Sequence, residues 1–264
     1  MLNKKILAVA IATLGLAGTA QAASFLNGGF ENNDTSGWTT GGGYWSDSSY
    51  TENPSDYFVG GSHYNPGYAV VTVTSAGTDA YGQSEVRYGN HAVKLNDTNN
   101  NYSVSVIKQS VTNYAGTSIN FAWDAVLEGS HGLTDSDNFT LKVTDDTAGT
   151  TVYDAAYSSA SAAANVPGAV AFTNVPYTNV YVSGWQDITL ASTVGHDYTV
   201  ELLASDCPYG GHWGYVYLDG FGTVAGGPGD NGTPSNATPE PGSLLLVGIG
   251  LTGALAARRR RKAA

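Results

Sequence analysis

The feature that most limits the fold of this chain is a series of short segments in which apolar and polar residues alternate. Successive side chains of a β-strand point to opposite faces, so this alternation predicts strands. Glycine clusters such as Gly28-Gly29, Gly41-Gly42-Gly43 and Gly210-Gly211 separate the segments and favour turns. Six segments carry the pattern: Ala69–Thr74, Ser103–Lys108, Ser118–Trp123, Asn138–Thr144, Tyr198–Leu203 and Gly214–Leu218.

These strands have no helical partner along the chain. The Ala-rich stretch Tyr157–Ala171 is broken by a Pro-Gly pair, so we expect at most one helical turn or a loop there. Strands without helices bury their apolar faces by packing sheet on sheet. We therefore predict an all-β domain over residues 23–224, a single β-sandwich of the jelly-roll type. Phe121 and Trp123 share one face of a strand, and we predict that Trp123 lies in the core.

The charge distribution excludes one class of partner. The formal net charge is −11, from 22 acidic and 11 basic residues, and seven of the basic residues lie at the two ends of the chain. The remainder carries 22 acids against four bases, a charge of −18. Nucleic-acid binding needs lysine and arginine to neutralise phosphates, so we expect no nucleic-acid partner. Cys207 is the only cysteine, so no disulfide forms within the chain.

The N-terminus has the three parts of a secretory signal peptide. Cleavage between Ala22 and Ala23 would begin the mature chain at Ala23, and a buried N-terminal helix is the alternative interpretation. We predict a signal peptide over residues 1–22 and export through the inner membrane. Its parts are the basic pair Lys4-Lys5, the apolar run Ile6–Ala17 and the small-residue site Ala20-Gln21-Ala22.

The C-terminus also has three parts, which are Pro239-Glu240-Pro241, the apolar run Ser243–Ala257 and the basic cluster Arg258–Lys262. As a helix the run would span about 22 Å, short of the ~30 Å hydrocarbon core, although terminal arginines can snorkel. The cluster would stay cytoplasmic and leave the acidic body outside the inner membrane. A permanent single-span anchor is one interpretation. Residues 225–238, rich in Gly and Pro, predict a flexible linker before this tail.

The same order of parts resembles the PEP-CTERM sorting signal of exported proteins in exopolysaccharide-producing Gram-negative bacteria. Residues 239–264 would then be a sorting signal with a short transmembrane helix and an Arg-rich tail. The resemblance implies an exosortase-type membrane enzyme that cleaves near Pro239, Glu240 and Pro241. It also implies delivery to the cell surface or extracellular matrix, and it says nothing direct about the activity of the body.

Three motifs in the body carry a second resemblance: Leu26–Glu31 with Trp38 nearby, Tyr88–Leu95, and Tyr217–Phe221. In this order they are similar to the galactose-binding-like jelly roll of many carbohydrate-binding modules. That family often holds a structural calcium ion between its first and last strands. For this chain, the resemblance implies that Glu31 and Asp219 bind the calcium ion, together with backbone oxygens near residues 89–91. Two carboxylates suit a hard cation. The alternative is that Glu31 caps a turn and Asp219 is an exposed carboxylate at a strand end.

Sugar binding would need flat aromatic faces and polar side chains in a preformed groove. The aromatic residues between positions 38 and 68 lie among Gly, Ser, Asn and Asp, so we expect exposed loops there. Ordinary packing is the alternative for each ring. Other candidates are Tyr44, Tyr50, Tyr57, Tyr68, Trp185 and Tyr209, and the carbohydrate-binding residues that we predict are Trp38, Trp45, Tyr64 and Trp213.

The segment Asp206–Gly214 combines Asp, Cys and His within seven residues, which raises a nucleophile or a metal site as interpretations. A cysteine between Asp and Pro in a Gly-rich turn shows no activation, so we interpret the segment as a tight turn before a strand. No G-x-S-x-G elbow, H-E-x-x-H pair or phosphate loop occurs in the chain. We therefore expect no catalytic residues.

The sequence thus predicts an exported, non-catalytic surface protein that associates with exopolysaccharide. One alternative is a structural or adhesive matrix protein without specific sugar binding. A polysaccharide hydrolase or lyase is the second alternative, because a sandwich brings distant carboxylates together. Whether the predicted rings share one exposed face distinguishes the first two functions.

Overall fold

A computed structural model describes residues 23–132, 135–164 and 169–230 of the chain. Within these ranges the protein forms two antiparallel β-sheets and one short helix. The predicted signal peptide and the predicted sorting signal lie outside the described residues. Among the residues described, no helix has the length and apolar character needed to cross a bilayer.

The strands follow one another with short connections, apart from the segments around residues 45–70 and 76–90. Two single turns of 3-10 helix, Pro54–Tyr57 and Pro66–Tyr68, lie in the first of these segments. The elements are β1 (Thr39–Tyr44), β2 (Val71–Ser75), β3 (His91–Leu95), β4 (Ser103–Val111), β5 (Ser118–Glu128), β6 (Asn138–Asp145), β7 (Thr150–Ser158), α1 (Ser159–Ala164), β8 (Thr173–Asn174), β9 (Val180–Val182), β10 (Gln186–Ala191), β11 (Tyr198–Ser205) and β12 (Gly214–Gly222).

The two sheets are named here A and B. Sheet A has the strand order β1-β4-β11-β6-β7, and sheet B has the order β2-β3-β12-β5-β9-β8, with β10 also paired to β5. The strands β9 and β10 share one edge of β5, with β10 along Ser118–Trp123 and β9 along Val126–Glu128. From β3 to β6 the chain alternates between the sheets, an alternation typical of a jelly roll. The predicted all-β sandwich is therefore confirmed.

The core lies between the inner faces of the two sheets. Phe121, Trp123 and Leu127 of β5 pack in one cluster with Phe139 of β6 and Val216 of β12. Trp123 is completely buried, as predicted, and its indole N–H donates a hydrogen bond of 2.7 Å to the hydroxyl oxygen of Tyr153. Burying one such side chain stabilises the fold by about 1.5–3 kcal/mol, so this layer is the main support of a domain without a disulfide.

All six predicted strands are present and each ends beyond its predicted end, while β2 alone begins later than predicted, at Val71. The stretch 157–171 is also close to the prediction, because β7 ends at Ser158 and α1 has only six residues. The interpretation of Gly41–Gly43 as a turn is wrong, since these glycines form the middle of β1. A Cβ at Gly42 would lie 2.6 Å from Cα of Ala69, so the missing side chains let the next segment pack directly on the strand.

The first residues of the predicted linker 225–238 are attached to the sandwich. The backbone N–H of Gly28 donates to the carbonyl of Asp230 at 2.8 Å, and the N–H of Asp230 donates to the carbonyl of Phe221 at 2.8 Å. The Asp230 carboxylate also accepts a hydrogen bond from the backbone N–H of Thr223. A flexible linker is therefore wrong for residues 225–230, because these backbone bonds extend the end of β12.

Candidate functional site

The structure places Trp38 in the core. Its side chain is 8% exposed, and its ring stacks on Phe30 with centroids 5.2 Å apart. Its indole N–H donates to the carbonyl of Asn27 at 3.0 Å, and its edge contacts Phe221 of β12. The expectation of an exposed ring is wrong here, because Trp38 closes the end of the core beside the first turn of the domain.

Trp45 and Trp213 are also buried, at 6% exposure each, but on the outer faces of the sheets. Trp45 packs with Tyr57 over sheet A, and Trp213 packs with Tyr215 over sheet B. The prediction that Trp45 lies in an exposed loop is wrong, and Trp213, which was predicted to bind carbohydrate, is buried as well. Tyr64 is half-buried and pairs with Gly43 of β1 through an isolated backbone bridge. The four predicted rings therefore do not share one exposed face.

A different set of aromatic rings is in mutual contact at the surface. Tyr44, at the end of β1, is 38% exposed. Its ring centroid lies 5.2 Å from that of Tyr68 and 5.2 Å from that of Tyr102, and both of these rings are half-buried. We call Tyr68, Tyr44 and Tyr102 the tyrosine row. The rings are inclined to one another, at 61° between Tyr44 and Tyr68 and 49° between Tyr44 and Tyr102, so a sugar ring could stack on the exposed face of Tyr44.

The tyrosine row borders the connection between β11 and β12. The hydroxyl of Tyr102 lies 2.9 Å from where a Cβ would stand on Gly210, so the glycine allows this close approach. The next residue back, Tyr209, is 61% exposed, and its hydroxyl accepts a hydrogen bond of 3.3 Å from Ser48. Sequence reasoning considered Tyr44, Tyr68 and Tyr209 but missed Tyr102. Its position directly before a predicted strand was the available signal.

The two residues nominated for calcium both face the segment 87–91. Oε1 of Glu31 accepts hydrogen bonds from the backbone N–H groups of Asn90 at 2.8 Å and His91 at 3.1 Å. Oδ2 of Asp219 accepts from the N–H groups of Arg87 at 3.0 Å and Tyr88 at 2.8 Å. Asp219 is fully buried, so its interpretation as an exposed strand-end carboxylate is wrong. The two carboxylates join the first and last parts of the domain to one loop.

The fit of this pair to a cation is partial. Oδ1 of Asp219 is buried and has no hydrogen-bond partner among the described residues, which suits an oxygen that would ligate an ion. Burial, and also the charge of Glu31, raise the pKa of Asp219 to about 7. The segment 87–91 turns N–H groups toward the carboxylates, whereas the resemblance implied oxygens from residues 89–91. The carboxylates suit calcium, and the backbone donors do not.

Three further carboxyl groups are buried in sheet A and its connections. Burial raises the pKa of Glu52 to about 8 and that of Asp206 to about 7, and it holds the pKa of Asp137 well above its ordinary value. Oε2 of Glu52 accepts hydrogen bonds from Asn138 at 2.8 Å and Ser205 at 3.1 Å. A carboxyl group in a cleft whose pKa is strongly raised is a candidate acid catalyst. Here these groups also bind loop segments to the sheet.

Sheet B carries a polar aromatic cluster on its outer face that sequence reasoning did not find. The hydroxyls of Tyr215 and Tyr217 donate to Oδ2 of Asp79 at 2.6 and 3.2 Å. Nζ of Lys94 lies 3.6 Å from the ring centroid of Tyr215, a cation–π distance. The alternation in Gly214–Leu218 indicated that Tyr215 and Tyr217 share a face, but not that Asp79 covers them.

One family model matches the chain. Residues 237–261 match the PEP-CTERM protein-sorting motif, and this confirms the resemblance of the tail. The motif indicates an exported protein that is sorted to the cell envelope or surface. The sequence matches no curated protein.

Solved structures similar in fold include carbohydrate-binding modules, as the second resemblance predicted. TmCBM61 in complex with β-1,4-galactotriose has 13% identity and a TM-score of 0.38, covering 76% of this chain and 98% of its own. CBM28, described as specific for non-crystalline cellulose, has 12% identity and a TM-score of 0.37, covering 75% and 93%. The enzymatically active domain of tailspike protein 4 from bacteriophage CBA120 has 12% identity and a TM-score of 0.34, covering 74% and 20%. These values are too low to assign binding or catalysis to this chain.

Proposed function

We propose that this protein is an exported, non-catalytic protein of the cell surface or extracellular matrix that associates with exopolysaccharide through the tyrosine row. The observation that carries the proposal is the contact of Tyr44 with Tyr68 and Tyr102 at the surface, beside the exposed Tyr209. Aromatic rings at a surface stack on the C–H faces of sugars, and their hydroxyls bond to sugar hydroxyls.

The sorting motif and the charge support this location. A motif for sorting to the cell envelope or surface supports a function outside the cell, where the acidic body could meet polysaccharide. We propose an exosortase-type enzyme of a Gram-negative inner membrane as the processing partner, acting near Pro239-Glu240-Pro241. The apolar run 243–257 would hold the chain in that membrane until then. The excess of acidic residues keeps the protein soluble by self-repulsion.

We keep calcium at Glu31 and Asp219 as a proposal. An ion there would contact the buried Oδ1 of Asp219 and neutralise two neighbouring carboxylates. Chelation with EDTA should then lower the melting temperature of the full chain, and added Ca²⁺ should restore it. An Asp219→Asn variant should show no response to either treatment. A wild-type melting temperature that is the same in EDTA and in Ca²⁺ would remove the proposal.

We favour association over hydrolysis because the carboxyl groups of Glu52 and Asp79 are already engaged in hydrogen bonds within the fold. The Glu52 carboxylate takes hydrogen bonds from Asn138 and Ser205, and the hydroxyls of Tyr215 and Tyr217 occupy Asp79. A glycosidase needs two carboxyl groups about 5–9.5 Å apart with a sugar between them. Release of reducing ends, or of unsaturated sugars, from the bound polysaccharide would instead favour the hydrolase or lyase.

Affinity electrophoresis of the full chain tests the function directly. We expect gels containing the host's own exopolysaccharide to retard the wild-type chain relative to plain gels. Tyr44→Ala and Tyr209→Ala should each weaken the retardation severalfold, because single aromatic contacts contribute about 0.5–1.5 kcal/mol beyond buried area. Runs with Ca²⁺ and with EDTA separate direct stacking from an effect of a metal.

Tyr177→Ala is the matched control, because Tyr177 is a fully exposed tyrosine in the β8–β9 connection of sheet B, whereas Tyr44 belongs to sheet A. It should leave the retardation unchanged. Unchanged mobility of the wild type in every gel would contradict the sugar-binding proposal and favour the structural or adhesive matrix protein. Retardation that Tyr44→Ala and Tyr209→Ala leave intact would place the binding surface elsewhere.

A further inference from the structure

Three side chains that can ligate a soft metal meet beside the tyrosine row. His131 lies in the connection between β5 and β6, while Cys207 and His212 lie in the connection between β11 and β12. One potential ligand atom from each lies within 4.8 Å of the other two. Nδ1 of His131 is 3.2 Å from Sγ of Cys207, and the two imidazole rings have centroids 4.6 Å apart.

The local sequence holds Cys207 and His212 together. The N–H of Cys207 donates to the carbonyl of His212 at 3.1 Å, and the N–H of Gly210 donates to the carbonyl of Cys207 at 2.9 Å. Gly210 and Gly211 have φ angles of +75° and +86°, in the left-handed region that glycine adopts without strain. The tight turn predicted for this segment is therefore confirmed, and its backbone bonds place both side chains on one side.

The second connection brings His131 to this turn. Gly129 also has a positive φ of 53°, and a Cβ on it would lie 2.9 Å from Cδ2 of His212. Its N–H donates to the carbonyl of Asn179 at 2.8 Å, which fixes the start of the connection. His131 and Cys207 are 76 residues apart, and the pairings of β5 with β12 and of β6 with β11 bring their two connections together.

The contacts of the cluster leave ligand atoms available. Nδ1 of His212 is buried and has no hydrogen-bond partner among the residues that the structure describes. The thiol of Cys207 is buried, and its sulfur lies 3.1 Å from the carbonyl oxygen of Asp135 and 3.2 Å from Nδ1 of His131. An imidazole nitrogen buried without a partner costs free energy unless something binds it. A metal ion in the cluster would be held by an imidazole nitrogen of His212 together with the sulfur of Cys207.

The separations suit a small tetrahedral ion. Zinc bonds of about 2.0–2.3 Å to nitrogen and sulfur at tetrahedral angles put neighbouring ligand atoms about 3.3–3.8 Å apart. The observed separations, from 3.2 Å to at most 4.8 Å, would need only small side-chain rotations to match. Thiolate and imidazole ligands favour zinc and exclude calcium and magnesium, which prefer oxygen.

We propose that His131, Cys207 and His212 bind a zinc ion that ties the β5–β6 connection to the β11–β12 turn. Binding replaces the thiol proton with the metal, so one proton is released and no oxidant or reductant is involved. A cysteine nucleophile activated by His131 is the competing interpretation. It leaves His212 without a role, and the thiol points to a carbonyl within the fold.

The test is metal binding by the full chain, purified without a polyhistidine tag and stripped of metal. Titration with Co²⁺ should produce a thiolate-to-cobalt charge-transfer band and intense visible bands, and Zn²⁺ should abolish both. Equilibrium dialysis should give one zinc ion per chain. Cys207→Ser and His131→Gln should each weaken zinc binding at least about tenfold, since each removes a direct ligand.

His63→Gln is the matched control, because His63 lies outside the cluster and stacks on Tyr50. It should bind zinc as the wild type does. Should Cys207→Ser fail to fold, the exposed His131→Gln variant carries the test, with circular dichroism as the check of folding. Wild-type chain that takes up no zinc would overturn the proposal. So would zinc uptake that both Cys207→Ser and His131→Gln leave unchanged.

Discussion

The outer faces of the two sheets bury similar aromatic residues by different chemistry. On sheet A, Trp45 and Tyr57 pack on Val104, Val106 and Leu203, so that face is apolar. On sheet B, the rings of Tyr215 and Tyr217 lie under Asp79 and beside Lys94. The 45–68 segment covers the rings on sheet A by apolar contact, with the hydrogen-bonded carboxyl group of Glu52 beside them, whereas hydrogen bonds and a cation–π contact hold the rings on sheet B.

The difference is sharpest at two hydroxyl groups. The hydroxyl of Tyr57 is buried and has no hydrogen-bond partner among the described residues, whereas that of Tyr215 donates to Asp79 at 2.6 Å. A buried donor without a partner costs about 1–3 kcal/mol, and a satisfied one contributes a similar amount in the opposite direction. The contribution of an aromatic residue on a sheet to stability therefore depends on the segment that covers it and on whether that segment supplies a hydrogen-bond partner.

The largest expected effects come from removing the indole on each face. Trp45→Ala and Trp213→Ala should each lower the free energy of unfolding by about 3–5 kcal/mol, because each leaves a cavity under its cover. Urea denaturation of the full chain measures both, with Tyr177→Ala expected within about 0.5 kcal/mol of the wild type. A loss below about 1 kcal/mol for Trp45→Ala would contradict a packed cover on sheet A.

The pH dependence of stability is the next effect in size, and each face carries at least one of the buried carboxyl groups that cause it. Burial raises the pKa of Glu52 over sheet A to about 8 and that of Asp124 over sheet B to about 7. Each folded group keeps a proton that the unfolded chain has lost. Its stabilisation is complete below the unfolded pKa near 4 and disappears as pH rises through the folded pKa.

We therefore expect the wild type to be more stable at pH 5 than at pH 8. Glu52→Gln should remove on the order of 2–4 kcal/mol of this difference. Asp124→Asn should remove a smaller part, confined to lower pH. Denaturation midpoints across this pH range measure the effect. A midpoint for the wild type that rises with pH would show that both groups are ionised in the folded protein.

The smallest effects compare the two hydroxyls by the same substitution. Tyr215→Phe should destabilise the chain by about 1–3 kcal/mol, because it removes a hydrogen bond to a carboxylate. Tyr57→Phe should be neutral or stabilising by up to about 1 kcal/mol, because it removes a buried hydroxyl without a partner. Thermal denaturation measures both. Equal losses of unfolding free energy for Tyr215→Phe and Tyr57→Phe would mean that the segments covering the two sheets interact with the hydroxyls in the same way.

The strands were predictable from local pattern, while the positions of the aromatic rings were not. Alternation identified β5 and β11 because each strand buries one face against the core. Strand β1 was missed because its three glycines carry no pattern, and they form a strand through their backbone pairing with β4. Trp38 and Trp45 were placed in exposed loops, because polar neighbours in the sequence do not show that a distant segment covers a ring.

The candidate sites also divide into features that local sequence predicts and features that only tertiary packing creates. The sequence by itself determined the sorting motif, the acidic charge, the all-β class and the turn that joins Cys207 to His212, because each depends on neighbouring residues. Only the tertiary structure decided that Tyr44 meets Tyr102 at the surface and that His131 reaches Cys207. Those contacts join residues from separate strands and connections, and the packing of two sheets, which no local pattern encodes, brings them together.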